Sequence, residues 1–282
     1  MTVMTDLHIH SCLSPCGGND MTPADVVGLS LLNGQDLIAL TDHNTAGNCP
    51  AAACAAVSYG IGFIPGIELT TSEDIHAVCL FPELDSALEF DRFLCRHLPE
   101  IRNRPDIFGE QILCGNDGAP RGTESRLLMV GSDISILDLP VIIAGYGGVC
   151  YPAHIDREGN GLLSILGAWP PELDVNAAEV WSGARGRVKS AGPRAWSGGD
   201  GAESGKRKVK SDGFGDDRGK KTEDSGEPGK FSGLPSGLPD GIKIIRASDA
   251  HRLADLPDRG FAMELESADF KGLAGWIRYG SA

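Results

Sequence analysis

Short apolar runs alternate with helix-like segments along most of this chain, and that alternation restricts the fold more than any other feature. The strand-like runs are "TDLHIH", "DLIALTDH", "GFIPGIELTT", "HAVCLF", "GVCYPAHI", "NAAEVW", "IKIIRASDAH" and "FAMELE". Between them lie "TPADVVGLSLLNG", "NCPAAACAAVSYG", "LDSALEFDRFLCRHL", "SILDLPVIIAGYG" and "FKGLAGWIRYG". The first of these helices opens on a capping Thr22, has Pro23 in its first turn and closes at Gly34. Strand–helix alternation predicts parallel βαβ units. A chain of 282 residues with 41% hydrophobic content has ample core for one large α/β domain.

The polar residues of these runs fall at their C-terminal ends. His8 and His10 close the first, Asp42 and His43 the second, Glu68 the third, His154 a later one, and Asp249 and His251 another. In a barrel of parallel strands such residues converge on one face. His76 departs from the pattern, because it opens "HAVCLF". His8 and His10 are two residues apart, so on a strand they share a face and can clasp one ion; Asp249 and His251 repeat the spacing. Each motif alone has an ordinary explanation, such as a surface HxH pair, an Asx-capped turn at "TDHN", or a solvated Glu68. Together, in order and at strand ends, they predict a multinuclear metal site, since gathered imidazoles and carboxylates are costly to bury without cations. His97, in "FLCRHLPE", reads as an ordinary helical residue.

Charge and cysteines narrow the setting. Residues 184–241, rich in Gly, Ser, Lys and Asp, hold 12 of the 25 basic and 9 of the 39 acidic side chains; the remainder carries 13 basic and 30 acidic, net −17. The stretch lacks apolar periodicity and is expected to be a flexible, disordered insertion between two strands, with nucleic-acid contact by "KRKVK" as the alternative. An acidic body makes a nucleic-acid polymer an unfavourable partner. No apolar run reaches membrane-spanning length, so no membrane partner is expected. Eight scattered cysteines and the lack of a signal-peptide pattern give the expectation of a cytoplasmic protein with reduced thiols. Residues 84–145 exceed an ordinary connection and are expected to form a cap-like insertion. Oligomeric state is not legible.

The ordered motifs "DLHIHS", "ALTDHN", "PGIELTT", "HAVCLF", "PAHIDR" and "ASDAHR" resemble those of the PHP (polymerase and histidinol phosphatase) superfamily, from Thr5 to about Glu266 with the 184–241 interruption. The resemblance implies a single domain over 1–282, a distorted (β/α)7 barrel of the PHP type. It also implies two to three divalent metal ions (Zn, Mn or Fe) at the strand ends and hydrolysis of phosphoesters by metal-activated water.

Carried over by position, His8, His10, Glu68 and Asp249 would hold a first metal. Glu68 would bridge to a second, held also by His76 and His154, while His43 and His251 would hold a third. Glu68, His154 and Asp249 would stand at the reaction itself. In family members an "HxHTxxxPHG"-like first motif supplies a further histidine. Here "HIHSCLSPCG" puts Cys16 there, with Asp20 as the alternative ligand or the third site unfilled. Asp42 would orient a ligand imidazole. Arg157, three residues after His154, and Arg252 are candidate phosphate clamps.

A small phosphorylated metabolite or nucleotide is the expected substrate. The alternatives are a related metallohydrolase acting on nucleic-acid ends or an amide, and a metal-binding module without turnover.

Overall fold

The structure, a computed structural model, describes residues 1–181 and 234–279. In chain order its elements are β1 (Thr2–Ile9), α1 (Pro23–Leu32), β2 (Leu37–Leu40), α2 (Cys49–Tyr59), β3 (Gly62–Thr70), β4 (His76–Leu80), α3 (Leu84–Leu94), α4 (Pro105–Phe108), β5 (Ile112–Cys114), β6 (Pro120–Thr123), α5 (Leu139–Gly145), β7 (Val149–Pro152), α6 (Leu162–Leu166), β8 (Ala177–Glu179), β9 (Lys243–Ile245), β10 (Phe261–Glu264) and α7 (Phe270–Tyr279). All eight expected strands and five expected helices form. At α1, Thr22 Oγ1 accepts from Asp25 N at 3.2 Å, and the helix gives way to Gly34 at φ +77°, where a side chain would strain the backbone.

β10, β1, β2, β3, β4 and β7 hydrogen-bond in that order into one sheet, with β8 and β9 a separate parallel pair. The sheet is mixed, and this corrects the expectation of parallel strands throughout. β1, β2 and β3 run parallel, but β4 pairs antiparallel with β3, β7 with β4, and β10 with β1. Thr71–Ile75 is too short for a parallel crossover, which needs a dozen or more residues, so β3 and β4 can only form a hairpin. That reversal places Thr70 opposite His76, so the first residue of β4 lies where β3 ends. β7 reverses again and returns the chain to that edge just before His154. Beyond β9, Ala250 bridges to Ile9 and brings Asp249 to the end of β1.

Both faces of the central strands are covered. Ile38 and Leu40 join one apolar cluster with Val26, Ala52 and Phe90, whereas Leu37 and Ala39 join another with Tyr151 and Leu273. Such two-sided burial accounts for near-continuous apolar runs in place of alternating ones. Within 84–145, α3 and α5 bury Ala87, Phe90, Leu94, Leu139 and Ile143 in the core, while β5 and β6 form a separate hairpin. This hairpin is fastened to the loop after β1: Ile112 N donates to Cys12 O at 2.8 Å. Asn48 Nδ2 donates to Ser11 Oγ and Ile112 O, and Asn48 Oδ1 accepts from Cys114 N.

Of the 184–241 stretch, residues 184–233 lie outside the described residues; 234–241 form turns leading into β9. Among the described residues no helix is long and apolar enough to cross a membrane.

Candidate metal centre

One carboxylate organises the end of the sheet. Glu68, fully buried on β3, has Oε1 2.8 Å from His76 Nδ1, 3.1 Å from His154 Nε2 and 3.3 Å from His8 Nε2. Its Oε2 lies 2.9 Å from His43 Nδ1 and 3.3 Å from His10 Nε2. Yet Glu68 Oε2, His43 Nδ1 and His76 Nδ1 make no hydrogen bond despite these distances, because the angles are wrong for one. Buried polar atoms that converge without satisfying each other are costly unless a cation sits among them. The residues therefore fit divalent ions.

The two-residue spacing brings the paired side chains together. His8 and His10 leave β1 on the same side with Nε2 atoms 3.2 Å apart, and Asp249 Oδ1 lies 3.2 Å from His10 Nε2 and 3.5 Å from His8 Nε2. Three donor groups converge: His8, His10, Glu68 and Asp249; His43, Glu68 and His76; and His10, His43 and His251. The first is the complete set expected for one metal. The others bring His43 beside Glu68 as well as beside His251. His251 donates from Nδ1 to its neighbour's carbonyl, Asp249 O, at 2.7 Å, and its ring stacks on His10 with centroids 4.2 Å apart.

Backbone strain accompanies this convergence. His154 at φ +28° and Asp249 at φ +53° both lie in the left-handed region that non-glycine residues rarely enter. Strain of this kind concentrates at functional sites.

Burial and charge pull the cluster's titrating groups in different directions. Burial pushes the His10 and His43 pKa values down, but surrounding groups, Glu68 among them for both, outweigh it and raise each to about 9. Burial opposes the charge on His8 too, yet Glu179, Glu68 and Asp249 hold its pKa well above the ordinary value. Burial alone would raise the Glu68 pKa; His76, His8 and His43 instead hold it well below. Burial and then positive His10 lower His251 to about 3.

The remaining expected residues separate into those at the cluster and those away from it. Asp42 accepts from Ser11 N and Oγ and from Ser14 Oγ, at 2.6–2.7 Å; Ser14 Oγ in turn accepts from His10 Nδ1 at 2.9 Å. Its link to an imidazole thus runs through Ser14. Cys16 is exposed but reaches His43 with its thiol, while Asp20 is exposed and lies over Gly18. Arg157 Nη1 donates to Asp249 Oδ2 at 2.7 Å. Arg252 is exposed, at the start of a short 3-10 turn. His97 pairs with Asp133 at 2.7 Å, away from the cluster, as an ordinary helix-end histidine would.

The sequence reading missed two residues. Ser14 holds His10, and Glu179 on β8 places Oε2 2.9 Å from His8 Nδ1. The available signal for the second was a lone carboxylate inside the apolar run "NAAEVW".

No known family model matches the chain. It is 38% identical over 73 residues to a 3',5'-nucleoside bisphosphate phosphatase of Chromobacterium violaceum, covering 26% of this chain and 25% of that protein. It is 35% identical over 83 residues to a 5'-3' exoribonuclease of Haemophilus influenzae, covering 28% and 29%. These matches thus span little more than a quarter of either curated relative. In structure it resembles the lesion-specific endonuclease PfuEndoQ of Pyrococcus furiosus, with TM-score 0.55 and 16% identity, over 99% of this chain and 56% of that one. The fold and the six clustered histidines with Glu68 and Asp249 agree with the ordered motifs of the sequence.

Proposed function

We propose that this chain is a metal-dependent hydrolase of phosphoester bonds, of the PHP type. The observation that carries the reading is Glu68, a single buried carboxylate within 3.3 Å of nitrogens from five histidines on four different strands or their ends. A structural histidine cluster has no need to direct so many lone pairs at one another. The curled sheet with the β8–β9 pair is read as the distorted (β/α)7 barrel.

His8, His10, Glu68 and Asp249 would hold one divalent ion and Glu68, His76 and His154 a second. His43 and His251, with Cys16, would hold a third. The donors are mostly nitrogen and oxygen, which suits Zn, Mn or Fe. Ions bound here would supply a water nucleophile at neutral pH and neutralise charge developing at phosphorus. Asp42 and Ser14 fix the His10 ring with its Nε2 toward the centre. Arg157, half-exposed beside Asp249, can swing a guanidinium fork onto a phosphate at the rim of the site. The β5–β6 hairpin, with the rest of residues 99–131, would cap the mouth.

A small phosphorylated substrate, of nucleotide type, is favoured by the likeness to the bisphosphate phosphatase and by the acidic body of the chain. A second reading, attack on nucleic-acid ends or lesions, draws on the likeness to the exoribonuclease and to endonuclease Q. Protein reconstituted with Zn2+ or Mn2+ should be assayed against phosphomonoesters, nucleoside 3',5'-bisphosphates and short oligonucleotides. Faster release of phosphate from the bisphosphates supports the first reading, and preferential shortening or nicking of oligonucleotides the second. No phosphoester turnover with any of them would overturn both.

A further inference from the structure

Glu179 is a buried carboxylate beside the cluster that the ligand assignments leave unused. It ends β8, it is buried, and its Oε2 accepts from His8 Nδ1 at 2.9 Å, with both side chains shut off from solvent. The opposite nitrogen of the same ring, His8 Nε2, faces Glu68 Oε1, His10 Nε2 and Asp249 Oδ1 at 3.2–3.5 Å. The backbone of Glu179 is engaged too: its carbonyl accepts from Ile155 N at 2.9 Å, immediately after His154.

We propose that Glu179 is the positioning residue of this centre, fixing His8 as an Nε2 ligand through its side chain and the His154 turn through its carbonyl. The inference rests on the metal-centre reading above. The physical argument is tautomeric. A proton held on Nδ1 by a carboxylate leaves the Nε2 lone pair free for a cation and makes it more basic. Without that acceptor the ring is free to rotate or to carry its proton on Nε2, where it would block the ion. Tyr151, whose buried hydroxyl has no hydrogen-bond partner, lies close enough for the Glu179 charge to raise its pKa, after the effect of burial. Glu179 is thus held in a dry pocket with His8 Nδ1 as its side-chain partner.

The test is a Zn2+ titration of metal-stripped protein against a competing chelator, comparing wild type with Glu179→Gln and Glu179→Ala. Glu179→Ala should weaken one Zn2+ equivalent about 10- to 100-fold and leave the others unchanged, because His8 belongs to only one of the three donor groups. Glu179→Gln, isosteric and still able to accept from Nδ1, should fall between Ala and wild type, and it keeps the comparison available if the Ala variant does not fold. A mere buried ion pair predicts a different outcome. Losing it would lower the melting temperature of the stripped protein but leave Zn2+ affinity unweakened. Wild-type or tighter binding of every equivalent in the Gln variant would therefore overturn the proposal, as would a wild type that binds no Zn2+. Normal Zn2+ binding without phosphoester turnover would contradict only the proposed function.

Discussion

Arg157 Nη1 donates to Asp249 Oδ2 at 2.7 Å, while Asp249 Oδ1 faces His8 and His10. One carboxylate therefore connects the candidate phosphate clamp to the candidate metal ligands, and Arg157 does not stand apart from the centre as a surface arginine would. In Arg157→Ala, a lost charged hydrogen bond to substrate of about 1.5–3 kcal/mol corresponds to a drop of roughly 10- to 150-fold in kcat/KM. Metal content should fall far less than turnover. Steady-state kinetics with elemental analysis on one preparation decide the matter, and an unchanged kcat/KM would transfer the clamp to Arg252.

Ser14→Ala should act on metal and spare the fold. Ser14 Oγ accepts from His10 Nδ1 and His43 N and donates to Asp42, so its removal frees the His10 ring and leaves two buried N–H groups without their acceptor. Metal affinity is expected to fall about 10-fold, at the lower end for loss of an orienting partner, because Asp42 keeps its two bonds from Ser11. Chelator competition measures it. Affinity equal to wild type would show that His10 needs no such support.

Acid should uncouple α7 from its cap. Asp269 Oδ1 accepts from Ser267 Oγ at 2.6 Å and from Gly272 N at 2.8 Å, and these two bonds hold its carboxyl below the ordinary value of 3.8. Because the folded pKa is depressed, the stabilisation is fully present above 3.8 and is lost as pH falls through the lower, folded value. Asp269→Ala should cost about 0.5–2 kcal/mol at pH 7, as loss of a helix cap does. The gap between variant and wild type in urea unfolding should close as pH falls below 3.8 and through the lower, folded value. A gap independent of pH would mean that the charged form contributes nothing.

The candidate ligands were legible in the sequence because they obey a period. His8 and His10 sit two apart on a strand, and Asp42–His43, Glu68 and Asp249–His251 each follow an apolar run, so strand geometry alone gathers them. His76 broke the rule because sequence alternation does not state strand direction; the short Thr71–Ile75 link held that information, and the antiparallel β4 resolves it. Ser14 gave no signal, and the signal of Glu179, a lone carboxylate in an apolar run, pointed to no partner. A serine in a loop and a glutamate in a strand acquire meaning only from what folds against them, here the buried rings of His10, four residues before Ser14, and of His8, far from Glu179 in sequence. The β5–β6 hairpin escaped because "PRGT" is exposed throughout and shows no apolar alternation.

The central claim is that Glu68 holds more than one cation against these histidines, and metal content tests it most directly. Elemental analysis of gently purified protein should find more than one transition metal per chain. Glu68→Gln should lose metal and phosphoester turnover together, by more than the roughly 10- to 100-fold that an orienting residue costs. A stripped wild-type protein that still turns over substrate in excess chelator, or a Glu68→Gln variant with full metal and full rate, would contradict the account.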